Sequence, residues 1–197
     1  TRPVAWRAGH RRLFECLCAS VEHQPATLER LQPLYQAVVH GCLAGLHQEV
    51  ITEVYVDRIL RGANDDGYFS IRRLGAFGAD LGAVACFFDP PWNRPSPTLP
   101  LALQSWTLST AAFYLGIVGR VQEALEPTRA ALEMALAAEA WVYATNIASN
   151  LSRLALALGE LVEALAAAKQ AVHYAGRSGD RFLRMGTHAT LADALHQ

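Results

Sequence analysis

The chain has 197 residues, 52% of them apolar, and its 17 Lys+Arg are balanced by 18 Asp+Glu for a net charge of −1. A protein that tracks phosphates carries a basic surplus or stripe, so this balance argues against nucleic acid as a partner and leaves only Arg7, Arg11 and Arg12 as a local basic patch. No apolar run reaches the roughly 18 to 20 residues of a membrane span, and the four cysteines (Cys16, Cys18, Cys42, Cys86) lack disulfide-scaffold spacing, which suits a reduced, cytoplasmic setting.

A first helix is expected from about Val4 to Val21, with a break at Pro25. Thr27 is placed to N-cap the next helix, with Glu29 in its first turn. Residues 28–44 carry Leu31, Leu34, Tyr35, Val38, Val39 and Cys42 at helical spacing. Gly45 interrupts, and a partner helix follows from about His47 to Arg61, burying Val50, Val54, Ile59 and Leu60. Residues 62–67 (GANDDG) read as a turn. From Tyr68 to Phe88 the pattern predicts one long helix with Gly75, Gly78 and Gly82 on a face that admits a close neighbour. Each such glycine costs about 1 kcal/mol of helicity relative to Ala, so this helix should be buried. The stretch 89–100 holds five of the nine prolines and reads as an extended connector anchored by Trp92 on the helices beneath.

The second half repeats itself. GRVQEAL from Gly119 is echoed by GELVEAL from Gly159, and 159 − 119 = 40. Ala131 and Ala171 follow at matching places, and Leu191 lies 40 after Leu151. A fixed period of this size means stacked helical hairpins. Helices are expected near 101–118, 121–138, 141–158, 161–177 and 181–196, with Gly119, Gly159 and Gly179 as left-handed C-caps. Trp141 should seal one unit onto the next. The fold class is all-α, a right-handed superhelix (α-solenoid) of antiparallel hairpins: degenerate repeats and the Pro-rich connector over 1–100, regular hairpins over 101–197, the last truncated. With Thr at its start and an interrupted repeat at its end, the chain reads as a piece of a longer protein.

The second helices place Ala124, Thr128, Ala131 and Ala164, Ala168, Ala171 where two helices approach too closely for larger side chains. This resembles the tetratricopeptide repeat. The first helices keep Leu108, Ala112, Leu115 and Ala148, Ser152, Ala155 in place of the usual set. The period is 40 rather than ~34, so the units look like the long-helix variety of kinesin light chains and of signal-transducing ATPases. HEAT-type repeats overlap in period; the Gly-x-x-x-Glu-Ala-Leu string favours the first family. LGAFGADLGAVACFFDPPW, ASNLSRLALALGELVEAL and GTHATLADALHQ are similar to C-terminal arrays of large bacterial STAND/NACHT-type signalling proteins. That resemblance implies a sensor or assembly segment and a protein or peptide ligand.

Motifs for chemistry are lacking. There is no G-x-x-x-x-G-K-[ST], so no phosphate loop. His40, Cys42 and His47 cluster in sequence, as do Cys16 and Cys18, but residues two apart on a helix point about 200° apart, against a shared ion. The seven histidines show no carboxylate–His–nucleophile order. Glu49, Glu53 and Asp57 read as a solvated face, and Asp65-Asp66-Gly67 as a turn rather than a calcium loop. The expectation is a non-enzyme without cofactor or metal.

Binding remains. The first helix of each pair would line a concave groove through Trp106, Ser109 and Phe113, then Asn146, Ser149, Asn150 and Arg153, then Ala189, Thr190 and Asp193. Asn150 can hold a peptide backbone and Arg153 a carboxylate. The competing reading pairs Arg153 with Asp193 across neighbouring helices. Trp106 and Phe113, seven apart, are more often core than a ligand platform. The chain-terminal helix, with Leu191 and Leu195 uncovered, offers a homodimer contact instead.

Overall fold

Helices α1 (Val4–Ala19) and α2 (Leu28–Ala44) pack side by side in a computed structural model that describes residues 4–62 and 67–197. The described residues form helices joined by turns and loops, with no strand; Phe88 and Pro95 form an isolated β-bridge. The chain divides into two compact units, Thr1–Pro100 and Leu101–Gln197.

In the first unit, Thr27 caps α2 as its side chain predicts, accepting from the Arg30 amide at 3.4 Å. Phe14 is the side chain that α1 buries. The link between α1 and α2 is held from outside itself. Arg58, itself buried, donates to the carbonyls of Val21 (3.3 Å), Glu22 (3.0 Å) and His23 (2.9 Å), and Arg61 donates to those of Gln24 and Pro25 at 2.9 and 2.8 Å. Charge-assisted bonds of this kind satisfy a cation that burial would otherwise penalise.

The helix expected from His47 is α3 (His47–Glu49) continuing into a π-helix, Val50–Leu60. Val50, Tyr55 and Leu60 recur every fifth residue, and all three are buried. A wider, i→i+5 turn keeps that five-residue stripe on one side.

The long helix expected from Tyr68 to Phe88 is two short ones, α4 (Phe69–Arg72) and α5 (Phe77–Ala85). Gly75 adopts φ +63° between them, a left-handed conformation that ends a helix. The glycine face is also not a close-packing face. A Cβ at Gly78 or Gly82 would meet nothing within 4 Å; Asp80, Leu81, Ala83 and Val84 form the buried side instead. Beyond α5, Trp92 sets its ring edge-on to Phe88, the residue just before the connector, 5.6 Å between centroids. The turn over 62–67 and the Asp65-Asp66-Gly67 reading fall largely outside the described residues.

In the second unit α6 (Leu101–Ile117), α7 (Val121–Ala137), α8 (Trp141–Leu158), α9 (Leu161–Ser178) and α10 (Arg181–Leu195) begin at 101, 121, 141, 161 and 181, each 20 after the last. Each packs on the next, and α8 also touches α6 and α10. Burial follows the repeat: Leu108 and Ala148, Ala112 and Ser152, Leu115 and Ala155 on the first helices, then Ala124 and Ala164, Thr128 and Ala168, Ala131 and Ala171 on the second. Gly119, Gly159 and Gly179 take φ of +82°, +77° and +74° at the ends of helices. Trp141 lies 6.2 Å from Tyr174 and under the Arg177 guanidinium at 3.6 Å, so these contacts close its own hairpin rather than joining it to the next.

Candidate functional site

A cavity of about 270 Å³ opens in the second unit where α6 and α8 meet beside α7. Small residues make it possible. A Cβ at Gly116 would lie 3.1 Å from Leu154 Cδ2, so the two helices approach there with a hydrogen in place of a side chain, and Ala112 and Ala157 leave the adjoining space open. Phe113, Ile117, Ile147 and Leu154 supply apolar walls, with Val121 and Thr128 from α7. Thr128 turns its hydroxyl onto the Ala124 carbonyl at 2.6 Å.

The polar groups are Ser109, Asn150 and Arg153. Arg153 Nη2 donates to Asn150 Oδ1 at 2.6 Å, one helical turn away. The Arg153–Asp193 ion pair does not form: local spacing on α8 gives the guanidinium a nearer acceptor than α10 can. Ser109, Phe113, Asn150 and Arg153, all in the expected groove set, therefore come together around one cavity. Phe113 is 45% exposed, so it is not core.

The other expected groove residues lie elsewhere. Trp106 is half-buried one turn before Ser109–Phe113, and Asn146 is exposed. Ser149 is buried with its hydroxyl donated to the Thr145 carbonyl at 2.9 Å. Thr190 donates to its own helix at Gly186, and Ala189 and Asp193 are exposed on α10. None of these lines the cavity. Groove projection missed Ala112, Gly116, Leu154 and Ala157; the small residues at 112, 116 and 157 were the available signal.

No carboxylate, imidazole or thiol lines the cavity, so its chemistry is apolar contact with a guanidinium and an amide at the edge. Ligand pockets usually run from about 300 to 1,000 Å³, and this one sits just below that range, the size of one bulky apolar group.

The residues weighed for metal binding separate. Cys16 is exposed, Cys42 buried, His40 pairs with His10, and His47 Nδ1 lies 3.1 Å from Thr98 Oγ1. Among the described residues no three His, Cys, Asp or Glu side chains gather as a metal site would require. Burial pushes the Cys18, Cys42 and Cys86 thiols up, away from thiolate chemistry.

The first unit holds a buried carboxylate. Tyr35 Oη donates to Asp80 Oδ1 at 3.4 Å, and Asp80 Oδ2 is buried without a hydrogen-bond partner beside the buried Ser70 hydroxyl. Burial raises the Asp80 pKa to about 6, against the lowering effect of Ser70, Tyr55 and Tyr35 around it.

Comparison with protein-family models, with curated proteins and with solved structures finds no significant match. Among the described residues no helix is long and apolar enough to cross a membrane.

Proposed function

We propose that this protein is a non-catalytic, tetratricopeptide-like recognition scaffold whose second unit binds a protein or peptide ligand. Its hairpins stack as a right-handed superhelix with the first helices inward. One observation carries the reading: an apolar cavity between two such helices, edged by Ser109, Asn150 and Arg153, with Phe113 standing exposed beside it. An apolar anchor with a few polar groups around it is how peptide grooves combine affinity with register. The sequence resemblance adds the setting, a cytoplasmic sensor or assembly segment of a larger bacterial signalling or defence protein, in which ligand binding alters contacts with the parent's other domains.

Selection of displayed peptides on the whole 197-residue chain, followed by fluorescence anisotropy, tests this. Selected peptides should share a bulky apolar residue and lose at least tenfold in affinity with Phe113→Ser or Gly116→Leu. Peptides that bind both variants as tightly as the parent chain would remove the cavity from the reading.

A second reading is self-association. On α10, Leu191 is half-buried but Leu195 is 63% exposed, and Phe182 (79%) and Met185 (73%) stand exposed one turn apart. Light scattering distinguishes the two: a dimer dissociated by Phe182→Glu with Met185→Glu favours this alternative.

A further inference from the structure

His10 on α1 and His40 on α2 meet edge to edge, their Nδ1 atoms 2.8 Å apart, their ring centroids 5.0 Å apart and their ring planes 24° from parallel. A hydrogen bond at that distance needs one Nδ1 with a proton and one without. The pair therefore holds with both rings neutral, or with one positive charge shared. It fails when both rings are imidazolium, because two N–H groups then oppose each other and two like charges touch. Trp6 completes the cluster, its ring edge-on to His10 at 4.1 Å.

Residues 4–13 of α1 include no fully buried side chain. Its buried anchor, Phe14, lies a turn beyond His10. The other charges on this half are Arg7, Arg11 and Arg12, all exposed cations, and Arg11 is engaged with Glu15 of the same helix at 3.0 Å. On α2, the helix against which α1 packs, no charged residue follows Arg30. No carboxylate among the described residues pairs with either ring, so nothing offsets a second proton. Burial, and then the neighbouring His10, hold His40 below the ordinary imidazole range.

The far end of α1 is held differently. Arg58 and Arg61 donate to the carbonyls of residues 21–25, just past its end. His23 Nε2 lies 3.0 Å from Asp57 Oδ2 beside them.

We infer that the His10–His40 contact is an acid-released latch: the second proton frees the N-terminal half of α1 from α2 while residues 20–25 stay fixed as the pivot. The swing uncovers the α2 surface beneath Trp6 and His10.

Hydrogen exchange of the full chain, read by mass spectrometry from pH 8 to pH 5 and corrected for the intrinsic rate, tests the latch. Protection of α1 amides up to about residue 12 should fall at least tenfold below the ordinary imidazole value of about 6.5, while α2 and residues 20–25 stay protected. His40→Gln keeps a donor and an acceptor but cannot titrate, so its α1 protection should not vary with pH. His10→Gln serves equally if that variant fails to fold by circular dichroism. Wild-type α1 protection unchanged down to pH 5, loss spread evenly over the first unit, or the same pH-dependent loss in the Gln variants would each overturn the proposal.

Discussion

Arg129 on α7 grips Glu163 on α9 through Nη2 to both carboxylate oxygens, at 2.6 and 2.8 Å, and Nε to Oε1 at 3.1 Å. The guanidinium holds the Glu163 carboxyl below its usual range. Glu123, its counterpart 40 residues earlier, pairs instead with Arg120 beside its own helix start, at 2.6 Å. The repeat preserves the carboxylate and lets its partner change, so this tie is an addition to the stack and not its basis.

Arg129→Ala should therefore cost no more than about 1 kcal/mol, since both partners keep substantial solvent contact. Urea unfolding in 0.1 M and 1 M salt checks this, and the difference from the parent chain should shrink in the higher salt.

Ala171 is fully buried on α9, where Ala131 stands on α7. Ala171→Leu forces extra carbons into a filled seam and should destabilise by about 1 to 3 kcal/mol or more. A thermal melt reads the loss; an unchanged midpoint would mean the helices have room to part.

Two glycines in the first unit should respond oppositely to alanine. At Gly41 the new Cβ would collide with Val50 Cγ2 and lie 2.9 Å from Phe14 Cδ2, both parts of buried side chains, so Gly41→Ala should cost about 1 to 3 kcal/mol. Gly78 is a helical position with open space around its Cβ, so Gly78→Ala should stabilise by about 0.5 to 1 kcal/mol. Chemical unfolding of both variants measures the contrast.

Asp80 makes stability depend on pH with a definite sign. Its folded pKa of about 6 lies above the ordinary 3.8, so the folded chain binds the proton more tightly. The favourable contribution is complete below 3.8 and is lost as pH rises through 6, a change of up to about 3 kcal/mol. Asp80→Asn should be more stable than the parent at pH 7.5 and nearly equal to it at pH 4. Urea melts across that range check it, and a constant difference at every pH would refute the role of the carboxylate.

Legibility in the sequence followed the strength of the local pattern. The bounds of α2 could be read because Thr27 and Gly45 bracket an unbroken apolar stripe. The helices after Leu101 could be read because Glu-Ala-Leu and the alanines recur 40 apart, and the residues buried at those places are the ones the repeat selects. Glycine spacing alone does not distinguish a packing face from a break, so the pattern over Tyr68–Phe88 predicts one helix where Gly75 breaks and Gly78 faces solvent. The π-helix left a trace in the five-residue spacing of Val50, Tyr55 and Leu60, easily absorbed into an ordinary helical pattern. At the cavity, Ser109, Phe113, Asn150 and Arg153 were found by projecting inward positions along the repeat. Gly116 and Leu154 were not, since a void is made by what two helices lack together. The His10–His40 contact joins residues 30 apart with no motif between them.

The even step between helix starts makes length a free variable of the second unit. A copy of residues 121–160 spliced in after Glu160 would add two helices and leave every later helix start on the same step.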